Sequence, residues 1–200
     1  MPDEVVENSE ETNGAPDSGE TAEEVAEAVK TPPGEDLKEV VESAFPGAVL
    51  EQSAYEDDED EATFVLDVDS IVAVSTHMRD HVDALFKLLT DLTAAHYPEA
   101  EDPFEMLYHL YSFEHNRRLR LKVRIKEGQA VPTVSGVWSS ADWMEREVYD
   151  LFGIEFEDHP DLRRILLPDN WGSHPMRKDY PLEGRGERIY TKPKRKEMGE

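Results

Sequence analysis

The chain has 200 residues, with 46 Asp and Glu against 21 Lys and Arg, a net charge of −25, and no cysteine. That composition excludes a disulfide framework, a cysteine nucleophile, a thiolate zinc site and any iron–sulfur cluster held by this chain. Net acidity argues against self-driven binding to nucleic acid or an anionic membrane, no apolar run reaches the ~18 residues a spanning helix needs, and the opening MPDEVVENSEE reverses the basic-then-apolar order of a signal peptide, so a cytosolic product is expected.

The acidity is concentrated at the front. Residues 1–69 hold 23 acidic and 2 basic side chains, whereas residues 70–200 hold 23 and 19. Residues 1–35 are rich in Glu, Ala, Pro, Gly, Thr and Ser and lack the apolar surface to offset ordering entropy, so they read as an acidic disordered tail with at most a transient helix over 21–30. A solvating tail and a charged docking arm are both compatible with this composition, and the first is the simpler reading.

From Asp36 to Phe45, Leu37, Val40, Val41 and Ala44 fall at helical spacing, and Pro46-Gly47 ends the helix. A strand is expected over Ala48–Tyr55, then an acidic loop over Glu56–Glu61, then a strand over Thr63–Val68 with Phe64, Leu66 and Val68 alternating. Asp69 or Ser70 can cap a helix carrying Ile71, Val74, Met78 and Val82. Leu85–Leu92 fits either a helix or a buried strand. Phe104–Phe113 and Arg118–Lys126 form a hairpin around Glu114-His115-Asn116-Arg117. In its second strand Leu119, Leu121, Val123 and Ile125 take one face and five cations take the other. Val131-Pro132-Thr133 reads as a loop. Ser139 or Ser140 can cap a helix in which Ala141, Met144, Val148 and Leu151 share a face, and Gly153 suits its left-handed C-terminus. The sum is an α+β domain over 36–153: a small mixed or antiparallel sheet with helices on one face. Beyond Gly153 prolines interrupt both periods at 160, 168, 175, 181 and 193, so 154–200 reads as a long extended arm that docks on a partner, with 154–182 ordered only there.

Three constellations could carry chemistry. The cationic stripe of Arg118–Lys126 lacks stacking aromatics on its own face, which argues against a nucleic-acid reader. Glu145, Arg146, Glu147, Tyr149 and Asp150 crowd one stretch of helix. Glu147 and Asp150 could share a metal, but Arg146 is spaced to pair with Asp150 at i+4 as an ordinary surface device. His159-Pro160-Asp161, His174-Pro175 and Asp179 hint at a metal hydrolase, although their spacing is not that of a zinc site. No nucleotide-binding or nucleophile motif is present.

The run Glu145-Arg146-Glu147-Val148-Tyr149-Asp150-Leu151-Phe152-Gly153-Ile154 is followed by His159-Pro160-Asp161-Leu162-Arg163-Arg164-Ile165-Leu166. Then comes His174-Pro175-Met176-Arg177-Lys178-Asp179-Tyr180-Pro181-Leu182. In this order the three closely resemble the signature of the thirty-kilodalton subunit family of respiratory complex I, the proton-pumping NADH:quinone oxidoreductase. The strand pair Phe104–Lys126 and the Trp138–Met144 segment look like the family as well. Asp158 and Ser173 stand where the family usually has glycine, Asn170 and Met176 replace the commoner Asp and Leu, and His96 replaces an Asp. The resemblance implies a non-catalytic structural subunit of the hydrophilic arm, peripheral to the inner membrane on its cytoplasmic side. It implies packing on the large subunit that forms the quinone pocket, and near the subunit that bears a cluster. FMN, iron–sulfur clusters and quinone would then sit on other subunits, and this chain would bind no cofactor or metal. Glu145, Arg146, Glu147, Tyr149, Asp150, His159, Pro160, Asp161, Arg163, Arg164, Trp171, His174, Pro175, Arg177, Lys178, Asp179 and Tyr180 would form the partner face, with Trp171 and Tyr180 as buried anchors. The equivalent subunit of a membrane-bound hydrogenase or another quinone reductase is the alternative, and a stand-alone metal hydrolase a more remote one.

Overall fold

The computed structural model describes residues 34–55 and 58–185. The readings of a disordered tail before residue 34 and of a transient helix over 21–30 lie outside the described residues, as does the arm beyond residue 185.

Helix α1 (Glu35–Ala44) buries Leu37 and Val41, and Gly47 turns the chain in the left-handed region behind it. Strands β1 (Val49–Tyr55) and β2 (Asp58–Leu66) pair antiparallel. The acidic loop expected over Glu56–Glu61 is therefore corrected: β2 already begins at Asp58. Glu61 is a poor strand former on propensity, but the neighbouring strand Arg117–Ile125 places cations beside it, and Arg120 approaches its carboxylate at 3.1 Å. A 3-10 turn (Val68–Ser70) leads into α2 (Ile71–Asp80). Asp67 caps the 3-10 turn by accepting from the Asp69 N–H, and α2 itself starts without a side-chain cap from Asp69 or Ser70. Ile71, Val74 and Met78 are buried, but the helix ends at Asp80 and Val82 lies exposed beyond it.

The ambiguous apolar run resolves as β3 (Leu88–His96). The hairpin follows as β4 (Phe104–Ser112) and β5 (Arg117–Ile125), in the expected antiparallel register. The five strands order as β1-β2-β5-β4-β3, with β2 and β5 parallel. Leu119, Leu121, Val123 and Ile125 pack with all three helices in one core, so the helices cover one face of a mixed sheet as expected. On the other face the cationic stripe is balanced across strands. Lys122 meets Glu105 at 3.6 Å, and Arg124 holds Glu51 through two 2.9 Å hydrogen bonds.

Val131-Pro132 is not a loop. It is β6, paired in parallel with β7 (Phe156–Glu157) across α3 (Ala141–Phe152). Pro132 is tolerated because this ladder is only two residues long and Pro needs no N–H at an edge. Ser140 begins α3 without a side-chain cap; its hydroxyl donates instead to the Leu89 carbonyl.

Candidate functional site

Helix α3 carries an apolar stripe, yet three of its charged residues, Glu145, Arg146 and Asp150, are buried with it. A buried charge must be paired or hydrogen-bonded, so each partner can be traced.

At the C-terminal end, Asp150 Oδ2 accepts the backbone N–H groups of Ile165, Leu166 and Leu167 at 3.1, 2.8 and 2.8 Å. Its Oδ1 accepts from the Arg164 guanidinium at 2.7 Å. Burial alone would raise this carboxyl, but the N–H donors of Leu167, Leu166 and Ile165 together with Arg164 outweigh it and hold Asp150 below the usual carboxylate range. The expected i+4 partner is thus corrected: Arg146 turns away, donates to the Arg163 carbonyl at 3.2 Å and lies over the Trp143 ring. Arg164 takes its place because the arm loops back over the helix end.

The last four carbonyls of a helix have no partner within it. Here the C-cap Gly153 N–H donates to Tyr149 O and the arm supplies the rest: Arg164 and His174 Nδ1 donate to Asp150 O, Met176 N–H donates to Leu151 O, and Arg177 Nε donates to Phe152 O at 2.6 Å. The His174 ring lies against Gly153, where a β-carbon would come within 2.6 Å of it. Burial pushes the His174 imidazole below its usual range, and Arg164 and Arg177 act in the same direction. Further on, Lys178 N–H donates to His96 Nδ1 at 2.9 Å, His96 stacks on Phe104, and Arg177 lies over the same Phe104 ring while pairing with Glu127. His96 thus offers the arm a hydrogen-bond acceptor.

At the N-terminal end, Glu145 accepts from the Val134 N–H at 2.8 Å and from the Thr133 hydroxyl. The fully buried His159 ring accepts the Asp161 N–H at Nδ1, so Nε2 carries the proton and donates to the Asp142 carbonyl at 3.2 Å.

Asp150, Arg164, His174 and Arg177 are thus used on the chain's own helix, so residues 164–178, read from the sequence as part of a segment ordered only on a partner, are hydrogen-bonded to their own domain. The sequence pattern does not show this because the arm adds no periodic face; it is held by hydrogen bonds to and from backbone groups. Of the remaining expected residues, Glu147, Pro160, Asp161, Arg163, Lys178 and Asp179 are exposed, and Arg163 pairs with Asp161. Tyr149, Pro175, Trp171 and Tyr180 are half-buried. Trp171 Nε1 is buried without a partner among the described residues, and Arg185 lies over the Tyr180 ring. Thr133, Asp142 and His96 join the site without any motif of their own to announce them.

His159 and His174 contact Asp142 and Asp150 respectively, eight positions apart on α3, or about 12 Å along the axis. The arrangement does not bring the two histidines together as ligands, which removes the support for the hydrolase reading. Among the described residues no cluster of three or more His, Asp or Glu could hold a metal ion.

Asp158 takes the left-handed conformation with φ 60°, as a glycine would; Ser173 does not need it. Asp158→Gly is expected to stabilise the chain by a few tenths to about 1 kcal/mol, the left-handed penalty less the extra entropy of glycine in the unfolded chain. Urea unfolding measures it, and a lower midpoint for the variant would contradict the assignment.

Comparison with known proteins gives consistent relatives. Residues 64–186 match the family model described as respiratory-chain NADH dehydrogenase, 30 Kd subunit. The C subunit of an NADH-quinone oxidoreductase from Paramagnetospirillum magneticum is 44% identical over 155 residues, covering 78% of this chain and 77% of that protein. Its counterpart of the same name from Geotalea uraniireducens is 42% identical, covering 70% and 83%. Among solved structures, a chain of the membrane-bound sulfane sulfur reductase, an archaeal respiratory membrane complex, superposes with a TM-score of 0.64 at 27% identity, covering 74% of this chain and 86% of that one.

Proposed function

This chain belongs to the 30 kDa subunit family of the respiratory-chain NADH dehydrogenase, and on that premise we propose that it is a non-catalytic structural subunit of an NADH-quinone oxidoreductase. The relatives above 40% identity bear that name, whereas the sulfane sulfur reductase chain is more distant. A hydrogenase-type or other quinone reductase is therefore the less favoured assembly.

The observation that carries the structural role is the fate of the signature itself. Asp150, Arg164, His174 and Arg177 are used in holding residues 164–177 on α3 rather than converging on a substrate-sized site. The arm would then be a preshaped surface, which lowers the entropy cost of docking. The protein would sit peripherally on the cytoplasmic side of the inner membrane. It would pack on the large subunit that forms the quinone pocket, and near the subunit that bears a cluster, with FMN, iron–sulfur clusters and quinone held by other subunits. Among the described residues no helix is long and apolar enough to cross a membrane, so membrane association would come through those partners.

Leu166 and Met176 are exposed apolar groups on the arm, at 59% and 53%. We expect Leu166→Asp with Met176→Asp to cost about 2 kcal/mol of docking, roughly 30-fold in affinity, if they are hot spots. The melting temperature of the isolated chain should be almost unchanged. Purification of a tagged chain from its own cell, with identification of what accompanies it, tests both points. Recovery of NADH-quinone oxidoreductase subunits with the unaltered chain and their loss with the double variant is expected. Recovery of none with the unaltered chain would overturn the proposed role.

A further inference from the structure

Glu145, His159 and Asp142 form a buried titratable cluster that a docking role does not use. Glu145 and His159 side chains are both fully buried. His159 Nε2 lies 3.7 Å from Glu145 Oε2 and 3.3 Å from Asp142 Oδ1. Asp142 Oδ1 is itself buried and accepts no hydrogen bond among the described residues. Two carboxylates thus crowd one imidazole edge. The other groups facing Glu145 bring no fixed positive charge. From the β6 side they are the Thr133 hydroxyl and Val134 N–H. From β4 comes Tyr108, a buried phenol with no partner among the described residues, whose own ionisation is raised by burial and by the Glu145 charge. On α3, Arg146 is committed to the Arg163 carbonyl and the Trp143 face. In the arm, Asp161 donates its N–H to His159 and gives its carboxylate to Arg163.

The cluster also sits where three segments meet: the exit of β6 at 133–134, the first turns of α3 at 142–145, and the start of the arm at 159–161. We propose that Asp142, Glu145 and His159 form a proton-linked joint, in which one proton held on Glu145 fastens the segments at 131–135 and 157–161 to α3 and its loss loosens them. The physical cause is plain. A buried carboxylate without a cation is costly in its charged form, and the neutral acid is not. Desolvation pushes Glu145 up to about 7, against the two hydrogen bonds that lower it, with Asp142 raising it further.

The sign follows by linkage. The closed joint keeps its proton to about pH 7, whereas an opened, hydrated Glu145 loses it near the ordinary glutamate value of about 4.3. Between those limits Glu145 binds more protons in the closed form than in the open one. Its contribution makes opening easier as pH rises and levels off above 7.

Native-state hydrogen exchange on the full chain tests this, with Val134 and Asp161 amides as probes and intrinsic exchange corrected for pH. The ratio of the opening constant of the unaltered chain to that of Glu145→Gln, in which the contributions of the other groups cancel, should rise about tenfold per pH unit from about 5 to 7, roughly two orders of magnitude overall. At pH 8 the variant should open less readily than the unaltered chain. A carboxyl-carbon NMR titration of the unaltered chain gives a second readout that needs no variant: Glu145 should titrate near 7. Asp142→Asn should lower that midpoint. A Glu145 midpoint between 4 and 5, or a ratio that does not change with pH, overturns the joint.

Discussion

Replacing Asp150 by alanine is expected to lower folding stability by about 3–5 kcal/mol and to release residues 164–177 from α3. The magnitude is that of removing one partner of a buried ion pair. Asp150 has no exposed surface, and one of its oxygens satisfies three successive backbone N–H groups while the other holds Arg164. Alanine would leave those donors and the guanidinium facing each other without an acceptor. Asn is not a remedy, because its amide group must point donors at donors on one side of that site. The same carboxylate sets a pH dependence. Its folded value lies below the unfolded one of about 3.9, so its contribution is complete above that pH and is lost as pH falls through the folded value. Urea unfolding of the alanine variant at neutral pH measures the loss. A cost below about 1 kcal/mol, the level of a single ordinary hydrogen bond, would mean that this carboxylate does not organise the arm.

Gly153→Ala is expected to cost at least about 2 kcal/mol, because two penalties combine: left-handed backbone for a residue with a β-carbon, and displacement of His174 from the Asp150 carbonyl. Gly153 has φ 75°, and its missing β-carbon would meet His174 ring atoms at 2.6 Å. The ring cannot slide outward while keeping Nδ1 at 3.0 Å from Asp150 O. Its Arg177 neighbour is tied to Phe152 O in turn. The loss should therefore spread to 174–177 rather than stay at the helix end. A double variant with His174→Ala separates the two causes. If the His174 seat matters, Gly153→Ala should cost less in that background than alone, and equal costs would show that only the backbone is strained.

The elements whose order is carried by periodic apolar burial can be read from residues alone. The β4–β5 hairpin and the helices carrying Leu37, Ile71 and Ala141 are of this kind, since period 2 or 3.6 on one face leaves few alternatives. Gly153 likewise announces a helix end. It does not announce the ring of His174 lying on it, because close approach depends on a segment twenty residues away that has no period. β6 and β7 escape for a related reason: two residues are too short for an alternation, and Pro132 speaks against a strand. Glu61 reads as loop because its cross-strand cation lies on β5, far along the chain. The signature itself points to the correct family, but its charged residues suggest an outward-facing surface. Asp150 and Glu145 are buried because the arm's backbone N–H groups and the Thr133-Val134 segment need acceptors. No sequence pattern around Glu145 or Asp150 specifies those partners.

The arm is hydrogen-bonded to its own domain from Arg164 to Lys178, and these bonds are expected to shape it without a partner. Hydrogen exchange of the full chain, free in solution at neutral pH, tests this most directly at the amides of Ile165, Leu166, Leu167, Met176 and Lys178. Each of these donates to a named acceptor on α3 or β3. Protection well above that of an unstructured chain at all five is expected, and it should disappear in Asp150→Ala. Exchange of all five at unstructured rates in the unaltered chain would contradict this and return the arm to a segment ordered only on its partner.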